Sequence, residues 1–185
     1  MKQTIKIEEK FIMVDGHQSL QEDGSAFDKS LIKTKNIKEY YDGVNIFMTG
    51  ATGFLGKVLT EKLLRSCSGV KKIYILLRSK RGVDCERRFQ EFVKNQVFDN
   101  IRKEDPSFYT KIVYLTGDIS EPNVGLNEND TKLLKENVNI VFHVAATVRF
   151  NEALELAASL NTFGTQRVME LCSGMKALKV NFLVK

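Results

Sequence analysis

Eight residues, Thr49-Gly50-Ala51-Thr52-Gly53-Phe54-Leu55-Gly56, constrain this chain more than any other stretch. They follow a short apolar run, Val44-Asn45-Ile46-Phe47-Met48, and lead into a segment with apolar residues at Leu55, Val58, Leu59, Leu63 and Leu64. The first pattern predicts a buried strand and the second an amphipathic helix, so the glycines sit at a strand-to-helix turn. In that context each has a task. Gly50 permits a tight turn off the strand, Gly53 lets the backbone approach a pyrophosphate, and Gly56 lets the helix pack closely on the sheet. The free N–H groups and the dipole at the start of the helix attract phosphate. A glycine-rich turn without a ligand is the alternative, and the spacing and flanks argue against it.

The same alternation continues. Lys72–Leu77, Lys111–Leu115, Asn139–Val144 and Leu178–Val184 read as further strands. Helical patterns lie between them, over Phe54–Cys67, Asp84–Ile101, Glu128–Lys135 and Glu152–Gly174, the last with a bend expected at Gly164. Continuous apolar strands alternating with amphipathic helices predict an α/β fold: a doubly wound parallel sheet, Rossmann-like, reaching about its fifth strand. A length of 185 residues with 43% hydrophobic and 28% charged composition suits one such domain. Residues 1–36 are polar and mixed and read as a flexible leader, leaving 37–185 as the nucleotide-binding domain. No secretory signal and no run of eighteen apolar residues occur, so no membrane span is expected. Cys67, Cys85 and Cys172 are far apart and do not resemble a disulfide framework or a zinc site; Cys67 and Cys172 fall on helix faces and read as buried thiols. No metal is expected.

The second strand decides which dinucleotide fits. An NAD site places an acid at its end to hold the ribose 2′-hydroxyl. Here the strand ends Leu77-Arg78-Ser79-Lys80-Arg81, with three cations and no acid. A ribose 2′-phosphate favours guanidinium and positive potential, so NADPH is the expected cofactor, with Arg78 leading and Lys80 and Arg81 supporting. The net charge of +5 is otherwise that of a mildly basic surface. The densest basic cluster, which also holds Arg87 and Arg88, lacks interleaved aromatics, so no nucleic acid partner is expected.

The Gly-x-x-Gly-x-x-Gly spacing is similar to that of the extended short-chain dehydrogenase/reductases. More specific segments resemble insect-type, alcohol-forming fatty acyl-CoA reductases: Tyr40-Tyr41-Asp42-Gly43, Lys103-Glu104-Asp105-Pro106-Ser107-Phe108, Gly117-Asp118-Ile119-Ser120-Glu121-Pro122-Asn123 and Val141-Phe142-His143-Val144-Ala145-Ala146-Thr147-Val148-Arg149-Phe150-Asn151. The resemblance runs from about residue 37 to about residue 178. It implies NADPH-dependent reduction of a long-chain acyl-CoA, through an aldehyde, to a fatty alcohol. It also implies that Asp118 and Ile119 meet the adenine, and that Ala145 and Ala146 lie under the ribose and nicotinamide arm unless they serve only helix–sheet packing. Asn161 matches the helix asparagine that supports the active site, with a surface polar residue as the alternative. His143 reads as a core histidine paired with a backbone group. The family setting implies the cytosolic side, often at peroxisomal or endoplasmic reticulum membranes.

The sequence departs from that pattern in one respect that matters chemically. Proton delivery in this superfamily comes from a tyrosine four positions before a lysine. None of the five tyrosines, Tyr40, Tyr41, Tyr74, Tyr109 and Tyr114, has lysine at that spacing. The expectation is a truncated chain that holds cofactor without turning over acyl-CoA, with apolar surface left for association with itself or a full-length reductase. A catalytically dead binding module and a thioester-reductase domain remain alternative readings.

Overall fold

Asn45–Thr49 is buried along its whole length, which is what a central strand covered on both faces requires. The computed structural model describes residues 36–79, 82–149 and 151–183. The expected leader lies outside the described residues up to position 35, as do Lys80 and Arg81. In chain order the elements are α1 (Ile37–Tyr40), β1 (Asn45–Thr49), α2 (Phe54–Ser66), β2 (Lys72–Leu77), α3 (Cys85–Val93), α4 (Asp99–Glu104), β3 (Ile112–Thr116), α5 (Glu128–Asn137), β4 (Ile140–His143), α6 (Leu154–Ala158), α7 (Gly164–Ser173) and β5 (Val180–Leu183).

The five strands form one parallel sheet in the order β3-β2-β1-β4-β5. Side chains alternate between its faces. Ile46, Met48, Ile73, Ile75 and Ile140 pack on one side with Leu63 and Leu64 of α2 and the aromatic group Phe92, Phe98 and Phe108. Phe47, Leu76, Leu115 and Val141 pack on the other with Leu134 of α5 and Val168 and Leu171 of α7. The fold is therefore the doubly wound α/β arrangement that the alternation predicts. Phe92 meets Phe98 edge to face and Phe98 stacks on Phe108, with ring centroids 5.0 and 5.5 Å apart. Each such buried ring stabilises the fold by roughly 1.5–3 kcal/mol.

Two helices differ from the expected spans. The pattern over Asp84–Ile101 is broken after Val93. Asn95 accepts a bond from the Val97 N–H and starts a separate 3₁₀ turn over Gln96–Phe98 ahead of α4. An Asn cap competes with helix continuation, and the break turns Phe98 into the core. The long helix over Glu152–Gly174 is interrupted not at Gly164 itself but by a π turn over Ser159–Phe163, just before it. Gly164 keeps helical angles, and its lack of a side chain admits Ile119, whose Cδ1 would lie 3.2 Å from an added Cβ. Several large apolar side chains on this part of the chain are exposed, among them Leu154, Phe163 and Phe182.

Candidate functional site

β1 pairs with β2 on one side and β4 on the other, and the chain order reverses between β1 and β4. Outside the carboxyl ends of the strands at such a reversal, an open α/β sheet leaves a crevice. An open cleft of about 240 Å³ lies there, walled by the glycine loop, the ends of β2 and β3, and the segment after β4.

The glycine loop forms one wall because nothing larger fits. Gly50 has φ of 75°, in the left-handed region, and a Cβ on it would stand 2.5 Å from the Ala145 nitrogen. Gly56 has ordinary helical angles, but a Cβ there would meet the Gly50 carbonyl oxygen at 2.3 Å. The close approach at Gly56 is thus to the loop itself rather than to the body of the sheet. Gly53 is the N-cap of α2 and has no side chain to accept from the first-turn N–H groups. The helix therefore presents its N-terminal donors and dipole at the cleft. Gly50, Thr52 and Gly53 line the cleft, whereas the Phe54 and Leu55 side chains point to solvent, Phe54 being 83% exposed.

Cations gather at the far end. Arg78, one residue past β2, lines the cleft and donates to Asp118 across the end of β3 at 2.8 Å. Asp118 also accepts from the Ser120 N–H at 2.9 Å and the Ser120 hydroxyl at 2.8 Å. Burial works against the Asp118 carboxylate, yet the Ser120 donors and the Arg78 guanidinium together hold its carboxyl below the ordinary value. Arg88 of α3, which the sequence offers only as a member of a basic cluster, reaches back to the cleft. It donates to the Thr52 hydroxyl at 3.1 Å and to the Arg78 carbonyl oxygen. Leu76, Gly117, Val144 and Leu160 are further lining residues that sequence reading missed. Ile119, Ala145 and Ala146, which the motif match offers as cofactor contacts, also line the cleft.

The segment after β4 is clamped rather than loose. Asn161, in the π turn, donates to the Thr147 carbonyl oxygen and accepts from the Thr147 N–H, both at 2.9 Å. The Thr147 hydroxyl donates to Glu152 at 2.5 Å. Asn161 is therefore no free surface residue. Beneath it, His143 is fully buried, and its ring nitrogens meet two hydroxyls, Thr49 at 2.6 Å and Thr165 at 3.2 Å. The Thr49 oxygen in turn accepts from the Ala145 N–H at 3.3 Å, so its side chain faces the core and its backbone faces the cleft.

These features suit a nicotinamide dinucleotide. A helix N-terminus without a side-chain cap meets a cradle that only glycine leaves open, small alanines floor one end, and two guanidinium groups stand at the other.

Comparison with known proteins agrees. The NAD-binding family described as male sterility protein matches residues 48–184. The chain is similar to fatty acyl-CoA reductase 1 of Homo sapiens, with 46% identity over 145 residues, covering 78% of this chain and 28% of that protein. It is also similar to the fatty acyl-CoA reductase wat of Drosophila melanogaster, with 39% identity over 140 residues, 76% of this chain and 27% of that protein. Among solved structures, the reductase domain of a nonribosomal peptide synthetase from Mycobacterium tuberculosis matches with a TM-score of 0.60 and 26% identity, over 76% of this chain and 32% of that one. The chain thus spans under a third of the length of both acyl-CoA reductases.

Proposed function

This chain belongs to the male sterility protein family, and we propose that it binds NADPH for the reduction of a long-chain fatty acyl-CoA to a fatty alcohol. One observation carries the cofactor choice. The sequence at the end of β2 holds no acid for a ribose 2′-hydroxyl, while Arg78 stands there and Arg88 reaches in to the Arg78 carbonyl oxygen and the Thr52 hydroxyl. Asp118 comes from the neighbouring strand end and holds Arg78 in place. Bound NADPH supplies a hydride. The chain's own residues would hold the pyrophosphate at the α2 N-terminus and offer the small side chains of Ala145 and Ala146 to the nicotinamide arm, while Asn161 fixes the loop beyond.

Fluorescence titration tests this. The chain binds NADPH at least about ten-fold tighter than NADH, and Arg88→Ala or Arg78→Ala each removes most of that preference, as loss of a charge-assisted bond does. Equal affinity for the two dinucleotides overturns the assignment.

The acyl-CoA substrate rests on the 46% identity to fatty acyl-CoA reductase 1. With no Tyr-x-x-x-Lys to deliver a proton, the chain by itself holds cofactor without turnover. Steady NADPH oxidation on adding palmitoyl-CoA, above a control without substrate, would refute this. A second reading, action on a carrier-bound acyl thioester, is favoured by the likeness to peptide-synthetase reductase domains. Comparing free with carrier-bound acyl groups on an intact reductase separates the two. Association of the chain with itself or with an intact reductase is supported by exposed Leu154 and Phe163 and is tested by co-purification. The resemblance also supports residence on the cytosolic side, at peroxisomal or endoplasmic reticulum membranes, which imaging of the tagged chain tests.

A further inference from the structure

A run of hydrogen bonds passes beneath the cleft, and its directions follow one from another. The Thr165 hydroxyl oxygen lies 2.7 Å from the Asn161 carbonyl oxygen. A carbonyl only accepts, so the single hydroxyl proton of Thr165 is committed there. His143 Nε2, 3.2 Å from the same hydroxyl, must then be the donor. In a neutral imidazole this leaves Nδ1 as an acceptor. Thr49 Oγ1, 2.6 Å from Nδ1, gives its proton to the ring. The Thr49 oxygen keeps its lone pairs for the Ala145 N–H. The opposite tautomer would turn a bare Nε2 toward a Thr165 oxygen whose proton is already used. For a ring that is 0% exposed, two facing lone pairs are a substantial penalty.

The two ends of this run are the two attachments of the β4 wall. Ala145 lines the cleft. Asn161 sits in the π turn and grips the Thr147 backbone through both the oxygen and the NH2 of its side-chain amide. Local π geometry at a binding wall has a structural use, since it turns a side chain that a regular helix would present elsewhere.

We propose that His143 is a positioning residue: as the neutral Nε2–H tautomer it orients Thr49 and Thr165 together, fixing the Ala145 amide at one end and the Asn161-bearing π turn at the other, and so sets the β4 wall against which the dinucleotide binds. The effect on dinucleotide binding rests on the cofactor reading above; the tautomer and the fixing of the loop do not.

Long-range ¹H–¹⁵N NMR on the full 185-residue chain reads the tautomer directly. The chain has two histidines, His17 and His143, and a His17→Gln variant assigns the signals. The expected spectrum at neutral pH is that of a ring protonated at Nε2 alone; an Nδ1–H ring or an imidazolium overturns the proposal. Thr165→Val and Thr165→Ser then separate the hydroxyl from packing. The valine chain loses the link, and its Ala145 and Thr147 amides exchange with solvent roughly ten-fold faster, with NADPH binding weakened about five- to ten-fold; the serine chain behaves as the parent does. Equal behaviour of the two variants overturns the proposal. If the parent chain binds neither NADPH nor NADH, the cofactor reading fails, and amide exchange still decides whether the link fixes the loop. If the valine chain does not fold, the tautomer spectrum of the parent decides.

Discussion

Arg78 donates to the Asp118 carboxylate at 2.8 Å across the adjoining ends of β2 and β3. Both residues flank the cleft, so the bond holds a cation that would otherwise sample solvent where the proposed 2′-phosphate lies. The Asp118 carboxyl stands below its ordinary value of 3.8 in the folded chain. A carboxyl depressed by folding contributes stability that is complete above its unfolded value and is lost as pH falls through the lower folded value. Asp118→Asn therefore removes part of the acid dependence of the melting temperature below about pH 4 while leaving the stability at neutral pH within roughly 1 kcal/mol of the parent, because the Arg78 side chain is 49% exposed and screened. Thermal melts across that range check it. An unchanged acid limb would show that the pair has no thermodynamic weight.

Gly50 and Gly56 separate two kinds of constraint. Gly50→Ala meets both a positive φ of 75° and a backbone nitrogen 2.5 Å from the new methyl group. It should lose at least about 2 kcal/mol in a denaturant titration. Gly56→Ala has helical angles, where alanine normally gains about 0.5–1 kcal/mol, but the methyl would meet the Gly50 oxygen at 2.3 Å. A net loss is expected. Gly43→Ala is the control, with φ of 67° and open space around it, and should lose only the conformational strain of about 1 kcal/mol.

Cys67, Cys85 and Cys172 are all buried and free. Burial pushes the Cys172 thiol up to about 11, so at pH 8 it is a neutral thiol with no access to reagent. Titration with an aromatic disulfide should find fewer than one reactive thiol in the native chain over minutes, and all three after guanidinium is added. Rapid reaction of Cys172 in the native chain would mean that α7 opens locally.

The sheet was readable from the sequence because its strands are continuous apolar runs and the helices between them carry periodic stripes. Asn45–Thr49 and Lys72–Leu77 fall where those runs predict, to within a residue. The glycine loop was readable because the flanks place it. Arg88 was not, since its bond to Thr52 spans 36 positions and depends on how α3 crosses the sheet. Nor were the partners of His143: an apolar strand predicts its burial, but only tertiary packing brings Thr49 and Thr165 to its two nitrogens. The break at Asn95 carried a local signal, an Asn two residues before Val97, that the longer apolar periodicity outweighed. Lys80 and Arg81 lie outside the described residues, so the basic cluster is described only at Arg78, Arg87 and Arg88.

The strand order also sets a timetable for folding. β1, β2 and β3 are neighbours both in sequence and in the sheet, so they can pair as the chain emerges from synthesis. β4 joins the open side of β1, and the contact between Thr49 and His143 closes a separation of 94 residues. Contacts of that span form late and slowly. A nascent chain that has passed Thr116 holds a glycine loop with nothing opposite Gly50, and the nucleotide crevice comes into being only when β4 docks. Dinucleotide capture by the emerging chain would thus report the docking of β4.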